Sequence, residues 1–159
     1  AALSETFAGR AGTAAPRFVE LPALEASSGG ASDAVAMTAD FEAVLLVVDD
    51  DLKAHEMAAV EAVIRLGKPV TIALAKSDRL RGEERAELLA TLAERVAELS
   101  PRPEIVAVSA DPAPMVVEVI SSDGPSDTVV RRPARTLAPL VDALDRVLRR
   151  TIPGGRSVG

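Results

Sequence analysis

Lys76, Ser77 and Asp78 stand just past the apolar run Val70–Leu74, and Ser109–Ala110 follow a second such run at Ile105–Val108. Their types define a recognition chemistry. A fixed carboxylate has two acceptor oxygens and takes two parallel hydrogen bonds from a planar edge that offers an N–H beside an NH2. A lysine two residues earlier lays its methylene stem along an apolar ring while its ammonium stays hydrated. A backbone N–H from Ser109–Ala110 suits a carbonyl oxygen on the same ring. Guanine carries that combination of groups. A plainer reading competes, with Lys76 and Asp78 as solvated loop charges and Ser109 as a turn cap. Spacing alone leaves both open.

The elements that position these residues are legible. Three short runs rich in Val and Ile, AVLLVVDD, KPVTIALAKSD and EIVAVSA, each stop at a polar residue, and two periodic charged segments separate them. That pattern predicts buried parallel strands at 43–48, 70–74 and 105–108, joined by crossover helices at 51–66 and 83–99. In such a sheet a ligand sits outside the carboxyl ends of the strands, which gathers Asp49, Lys76–Asp78 and Ser109–Ala110. On the first helix Leu52, Ala59, Val63 and Leu66 mark one face, and Gly67 stops it. On the second, Leu88, Leu89, Leu92, Val96 and Leu99 recur at three and four, and Ser100–Pro103 ends it. Met115–Ile120 and Thr128–Arg131 read as two arms of a hairpin around Ser121–Ser126, with Asp123-Gly124 as the turn signal. A last helix is predicted at 137–149, with Leu140, Val141, Leu144, Val147 and Leu148 facing inward.

The N-terminal side carries weaker signals. Residues 1–15 are small and polar, and Arg17–Leu21 reads as one short strand ended by Pro22. The run EASSGGAS at 25–32 reads as a flexible surface loop, Ala34–Thr38 as a weak helical turn, and the tail from Thr151 as disordered. The chain thus divides into residues 1–39, a core at 40–150, and a tail at 151–159.

Composition narrows the class. At 159 residues with 48% apolar residues the chain suits one domain with a real core. A net charge of −6 argues against the basic footprint that nucleic acid or an anionic membrane needs. With no cysteine there are no disulfides and no thiolate metal sites. No apolar run reaches membrane-spanning length and no secretory leader opens the chain, which predicts a cytoplasmic protein. The single histidine, His55, lies on a helix with no Ser or Cys nucleophile paired to it in sequence, which favours a surface or boundary residue over a proton carrier. Asp49 and Asp50 are placed to cap the helix that follows, with an approach of Asp49 to bound nucleotide as the rival role. Arg131, Arg132 and Arg135 form a small basic patch, either a solvated face or, with the hairpin, a docking surface for a protein partner. Met57 and Met115 are expected to pack.

Residues from about 40 to 150 resemble the second half of the G domain of translation-factor-type small GTPases, close to Era-like GTPase domains. Ala75-Lys76-Ser77-Asp78 resembles their Asn-Lys-x-Asp base-recognition motif, and Val108-Ser109-Ala110 their Ser-Ala loop. The stretch from Asp51 to Val96, the Asp111-Pro112-Ala113-Pro114 segment and the hairpin before the last helix are similar to that group as well. The resemblance implies an α/β, P-loop-NTPase-like three-layer fold with a mostly parallel sheet and an incomplete or degenerate N-terminal unit. It implies GTP or GDP as ligand, with Ala75, Lys76, Ser77, Asp78, Ser109 and Ala110 as the nucleotide-binding residues.

The departures are as informative. No Gly-x-x-x-x-Gly-Lys-Ser/Thr occurs in the chain, so the loop, lysine and magnesium-bound hydroxyl of phosphoryl transfer are missing. Glu20-Leu21-Pro22-Ala23-Leu24 resembles the family's Asp-Thr-Pro-Gly-Leu, with Glu in place of the magnesium-facing Asp and Ala in place of the Gly at the γ-phosphate. A rival register sets Gly12-Thr13 on the switch threonine. Ala75 replaces the Asn that braces the phosphate loop, and Asp111 stands where a Lys often covers the base. No catalytic residue and no metal ligand is assigned, and a role for Mg2+ is doubtful. Three functions stay open: a degenerate or partial GTPase-family domain with residual guanine recognition and little or no hydrolysis; a protein-interaction or regulatory scaffold on that fold; and part of an active GTPase whose phosphate loop precedes Ala1.

Overall fold

The computed structural model describes residues 16–24, 30–119 and 127–151. In chain order they form α1 (Gly30–Met37), β1 (Val44–Val48), α2 (Ala54–Arg65), β2 (Val70–Leu74), α3 (Gly82–Arg95), β3 (Glu104–Ala107), β4 (Met115–Val119), β5 (Asp127–Arg131) and α4 (Ala138–Thr151). Short 3-10 turns follow α1 at Thr38–Asp40 and β2 at Ser77–Arg79.

The fold is α/β, with a three-stranded parallel sheet in the order β1-β2-β3 and a separate antiparallel pair, β4-β5. Register brings the strand ends level: Val48 pairs with Leu74, and Leu74 with Ala107. Alternation along β2 divides the core between two faces. Val70, Ile72 and Leu74 join Val60, Val63 and Ile64 of α2 and Leu92 of α3, with Val96 just beyond it, and Val35 of α1 packs at the margin. Ala73 on the other face joins Leu140, Val141 and Leu144 of α4, with Leu45 and Val106 partly buried beside them. Helices therefore cover both faces. The hydroxyl of Thr71, on β2, is buried without a hydrogen-bond partner among the described residues.

Local chemistry sets the helix limits. The Lys53 N–H donates to Glu56 Oε2 at 2.7 Å, and the Arg81 N–H to Glu84 Oε2 at 2.9 Å, so a glutamate in each first turn satisfies a donor at the helix start. After α2 the chain reverses through Gly67 at φ 78°, a left-handed conformation that glycine adopts without a Cβ penalty.

The expected strands and long helices are present, with ends shifted by a few residues. Five expectations need correction. Arg17–Leu21 is irregular rather than a strand: Pro16 and Pro22 bracket it, and Arg17–Glu20 stay exposed, so little burial offsets the cost of ordering. Residues 25–29 of the loop expected at 25–32 lie outside the described residues, and Gly30–Ser32 open α1, a longer helix than the turn foreseen at 34–38; Asp33 lies in its first turn and Ala34 is buried. Packing thus extends across position 40. Leu66 is half-exposed because it caps α2 rather than continuing its face, and Ile64 takes the buried place. Met57 packs as expected, whereas Met115 lies exposed on the hairpin, away from the main core. Helix α4 includes Thr151, whose hydroxyl donates to the Val147 carbonyl at 2.9 Å. The hairpin turn at 120–126, the N-terminal 15 residues and the tail beyond 151 lie outside the described residues.

Candidate functional site at the strand ends

The parallel register brings the loops after β1, β2 and β3 to one end of the sheet. Hydrogen bonds continue the pairing past the strands: Ala75 N–H to Val48 O at 2.7 Å, Val108 N–H to Leu74 O at 2.8 Å, and Ser77 N–H to Val108 O at 3.1 Å. Between those last two bonds the chain turns sharply at Lys76, whose φ of 54° and ψ of 31° lie in the left-handed region. A non-glycine residue there costs about 1–2 kcal/mol, and such strain concentrates at ligand-clamping sites. The turn separates neighbouring side chains. Ser77 is buried, while Lys76 and Asp78 reach the surface.

Asp78 is held on both oxygens. The Ser109 hydroxyl donates to Oδ1 at 2.6 Å, and the Ala113 N–H donates to Oδ2 at 3.2 Å. The Ser109 hydrogen bond, helped by Ala113, holds the Asp78 carboxyl below the usual carboxylate range against the opposing effect of burial. Ser109 is buried and fixed in turn by a reciprocal backbone pair with Thr136, at 3.0 and 2.8 Å. Lys76 Nζ donates to Asp49 Oδ2 at 2.8 Å, and that hydrogen bond, with the lysine's charge, lowers the Asp49 carboxyl as well.

Beside these groups lies a groove of about 550 Å³. Ala75, Lys76, Asp78, Arg79, Ala110 and Asp111 form its polar end, and Phe18, Leu45, Val47, Leu137 and Leu140 its apolar walls. A smaller recess of about 360 Å³ on the other side of Asp78 is lined by Arg85, Pro133, Ala134 and Thr136. Asp78 thus stands on the ridge between two concavities.

The predicted residues therefore converge, with altered roles. Ala75, Lys76, Asp78 and Ala110 face the groove, whereas Ser77 and Ser109 brace it from within. The Ser109 N–H is committed to Thr136, which leaves Ala110 as the backbone donor of that loop; its N–H has no hydrogen-bond partner among the described residues. Asp49 and Asp50 do not cap α2, because Lys53 takes that position and Asp49 binds Lys76 instead. Asp51 accepts from the guanidinium of Arg95, tying the β1 loop to the end of α3. His55, half-buried, meets the Leu24 carbonyl at 3.1 Å and anchors the irregular N-terminal segment. Arg131, Arg132 and Arg135 are all exposed, and Arg132 pairs with Asp111 at 3.5 Å. Sequence reasoning missed Ala113 and Thr136 as braces, since a backbone donor leaves no mark in residue type. It also missed Phe18 as a wall of the groove. Among the described residues no three His, Cys, Asp or Glu side chains gather as a metal site, and no helix is long and apolar enough to cross a membrane.

Comparison of the chain with protein-family models, with curated proteins and with solved structures gave no match.

Proposed function

We propose that this chain is a degenerate or partial GTPase-family domain, built on a P-loop-NTPase-like G-domain core, that retains guanine recognition and has lost hydrolysis. The observation that carries this reading is the fixed carboxylate of Asp78 at the lip of the groove. An ionised carboxylate offers about four acceptor sites. Ser109 and Ala113 occupy one on each oxygen. The remaining pair, one on each oxygen, matches in number the N1–H and exocyclic NH2 of guanine, and a carboxylate already held by two bonds lowers the ordering cost of binding. The Ala110 N–H suits the guanine carbonyl, and the Lys76 stem, on the groove rim, suits the face of the ring. Adenine lacks the matched donor pair and would leave the carboxylate desolvated without return.

The phosphate end is different. Among the described residues Lys76 and Arg79 are the only cations along the groove wall, and Asp49 already neutralises Lys76. Without a phosphate loop the main electrostatic contribution to both affinity and phosphoryl transfer is absent. Affinity near 0.1 mM or weaker follows, about −5.5 kcal/mol at best. A second reading, a scaffold that keeps the fold without the ligand, gains support from the Lys76–Asp49 pair, which leaves the site satisfied by its own side chains. Titration with a fluorescent guanine nucleotide separates them. Guanine should outcompete adenine, Asp78→Ala should abolish the difference, and phosphate release should stay at background. Equal binding of both nucleotides by both proteins would move the assignment to the scaffold.

A further inference from the structure

The groove beside Asp78 offers little positive charge to a ligand. Lys76, at its polar end, is engaged by Asp49, with Nζ 2.8 Å from Oδ2. The left-handed turn at Lys76 and the level ends of β1 and β2 bring these two residues together. At the same end Asp111 faces Arg132 at 3.5 Å. Arg79 follows Asp78 in the chain and stands beside the carboxylate that reads the base. Arg85 lines the recess beyond Asp78 rather than the groove. Ligand geometry turns this inventory into a specificity. With the N1–H and NH2 of guanine on Asp78, the sugar leaves from the opposite end of the ring system. Phosphates then extend away from Arg79, and the walls formed by Phe18, Leu45 and Val47 carry no charge. Phosphate recognition uses cations or converging N–H groups. Apolar walls suit the ring and sugar instead.

We propose that the groove takes an uncharged guanine base or nucleoside, that phosphates add nothing to its affinity, and that Asp49 sets this selectivity by holding Lys76. The proposal rests on the guanine reading of Asp78 and narrows it. The site reads the ring and does not distinguish GTP from GDP. Asp49 is a positioning residue, because it acts through Lys76 and touches no part of the ligand. Its removal frees an ammonium at the groove rim, the one change at that end that leaves a lysine without its carboxylate. The two side chains of the pair are 54% and 59% exposed, so water screens the freed charge, and its effect on a phosphate is a few-fold rather than orders of magnitude.

Nitrogen-15 chemical-shift titration of the full 159-residue chain with guanosine, GDP, GTP and adenosine separates this proposal from the reading beneath it. Guanosine should bind at least as tightly as GDP and GTP, and adenosine more weakly than all three. Asp49→Asn should shift the ratio of GTP to guanosine affinity toward GTP by about threefold. That gain should vanish in Asp49→Asn/Lys76→Met, where methionine keeps an apolar stem without the ammonium. It should also fade between about 0.05 M and about 0.5 M salt, as expected of an exposed charge. A loss of fold in Asp49→Asn would weaken all ligands together and leave the ratio unmoved. GTP binding tighter than guanosine in the unaltered chain would overturn the proposal and leave guanine recognition standing. An Asp49→Asn ratio that does not move, or a gain that survives Lys76→Met, would do the same. Adenosine binding as tightly as guanosine, or no binding of either, would overturn both.

Discussion

β1 and β2 are both five-residue, predominantly apolar runs, Val-Leu-Leu-Val-Val and Val-Thr-Ile-Ala-Leu, and lie side by side in register. β2 is buried at every position, whereas β1 is half-buried from Val44 to Leu46 and divides at its end into an exposed Val47 and a buried Val48. Val48 is 5% exposed and its neighbour Val47 is 58% exposed. The difference is positional. β2 has a strand on each side and helices on both faces, while β1 has β2 as its one strand neighbour among the described residues, and the α4 layer reaches its Leu45 but leaves Val47 bare. An apolar run thus states the burial a strand is suited to, and the neighbours decide the burial it attains. The uncovered part of β1 is also the apolar wall of the candidate groove, so incompleteness of the sheet and availability of the site have one cause.

Substitution in β2 tests the sealed half of that contrast most strongly. Ile72 is fully buried between α2 and α3, and Ile72→Ala leaves a cavity where close-packed neighbours relax only partly. A loss of about 4 kcal/mol is expected in denaturant unfolding, near the upper end for such truncations. A loss below about 1 kcal/mol would mean that β2 is not the centre of the core.

The next effect is at the strand end. Ser109→Ala removes the hydroxyl that holds Asp78, at a cost of about 1 kcal/mol because the carboxylate can turn to water. It should also cut any guanine preference while leaving the groove open. The sign of its pH dependence is fixed. A carboxyl lowered by folding contributes stability above its unfolded value and loses it as pH falls through the folded one. The intact protein should therefore lose the Asp78 and Asp49 contributions only below the usual aspartate range. In Ser109→Ala the Asp78 part should be lost at higher pH, and Asp49 should be unaffected. Carbon-13 titration of the two carboxyls distinguishes them, and an Asp78 titration unmoved by the substitution would remove Ser109 as its cause.

Much of this could be read beforehand, for identifiable reasons. The core strands and the crossover helices were legible because burial writes itself into residue type at fixed periods, as in Leu88, Leu92 and Val96. So was the gathering of Lys76, Asp78 and Ala110, since a parallel sheet brings all its carboxyl ends together. What stayed hidden depends on who stands opposite whom. Asp49 looked like a cap and became the partner of Lys76, because the left-handed turn at Lys76 is a backbone state that a lysine does not announce. Leu66 and Met115 looked like core residues, and the first lies at a helix end and the second on a ribbon apart from the main sheet. Arg17–Leu21 had the composition of a strand and forms none among the described residues.

The smallest expected effect, at Val47, discriminates most when set against the same change at Val48. Thr replaces Val with little change of shape and similar strand preference, so Val→Thr at adjacent positions of β1 compares the two faces with the backbone held constant. At Val48 the new hydroxyl enters a sealed layer against Leu52 and Val60, and burying it without a designed partner should cost about 1–3 kcal/mol. At Val47 the hydroxyl meets water, and the cost should be about 0.5 kcal/mol or less. The measurement is the difference between the two unfolding free energies for the full chain. A cost at Val47 that equals the cost at Val48 would mean that β1 is covered on both faces in solution, and the open groove wall would then be closed. A large gap between them would confirm that one strand presents two environments, with the apolar side of the candidate site facing water.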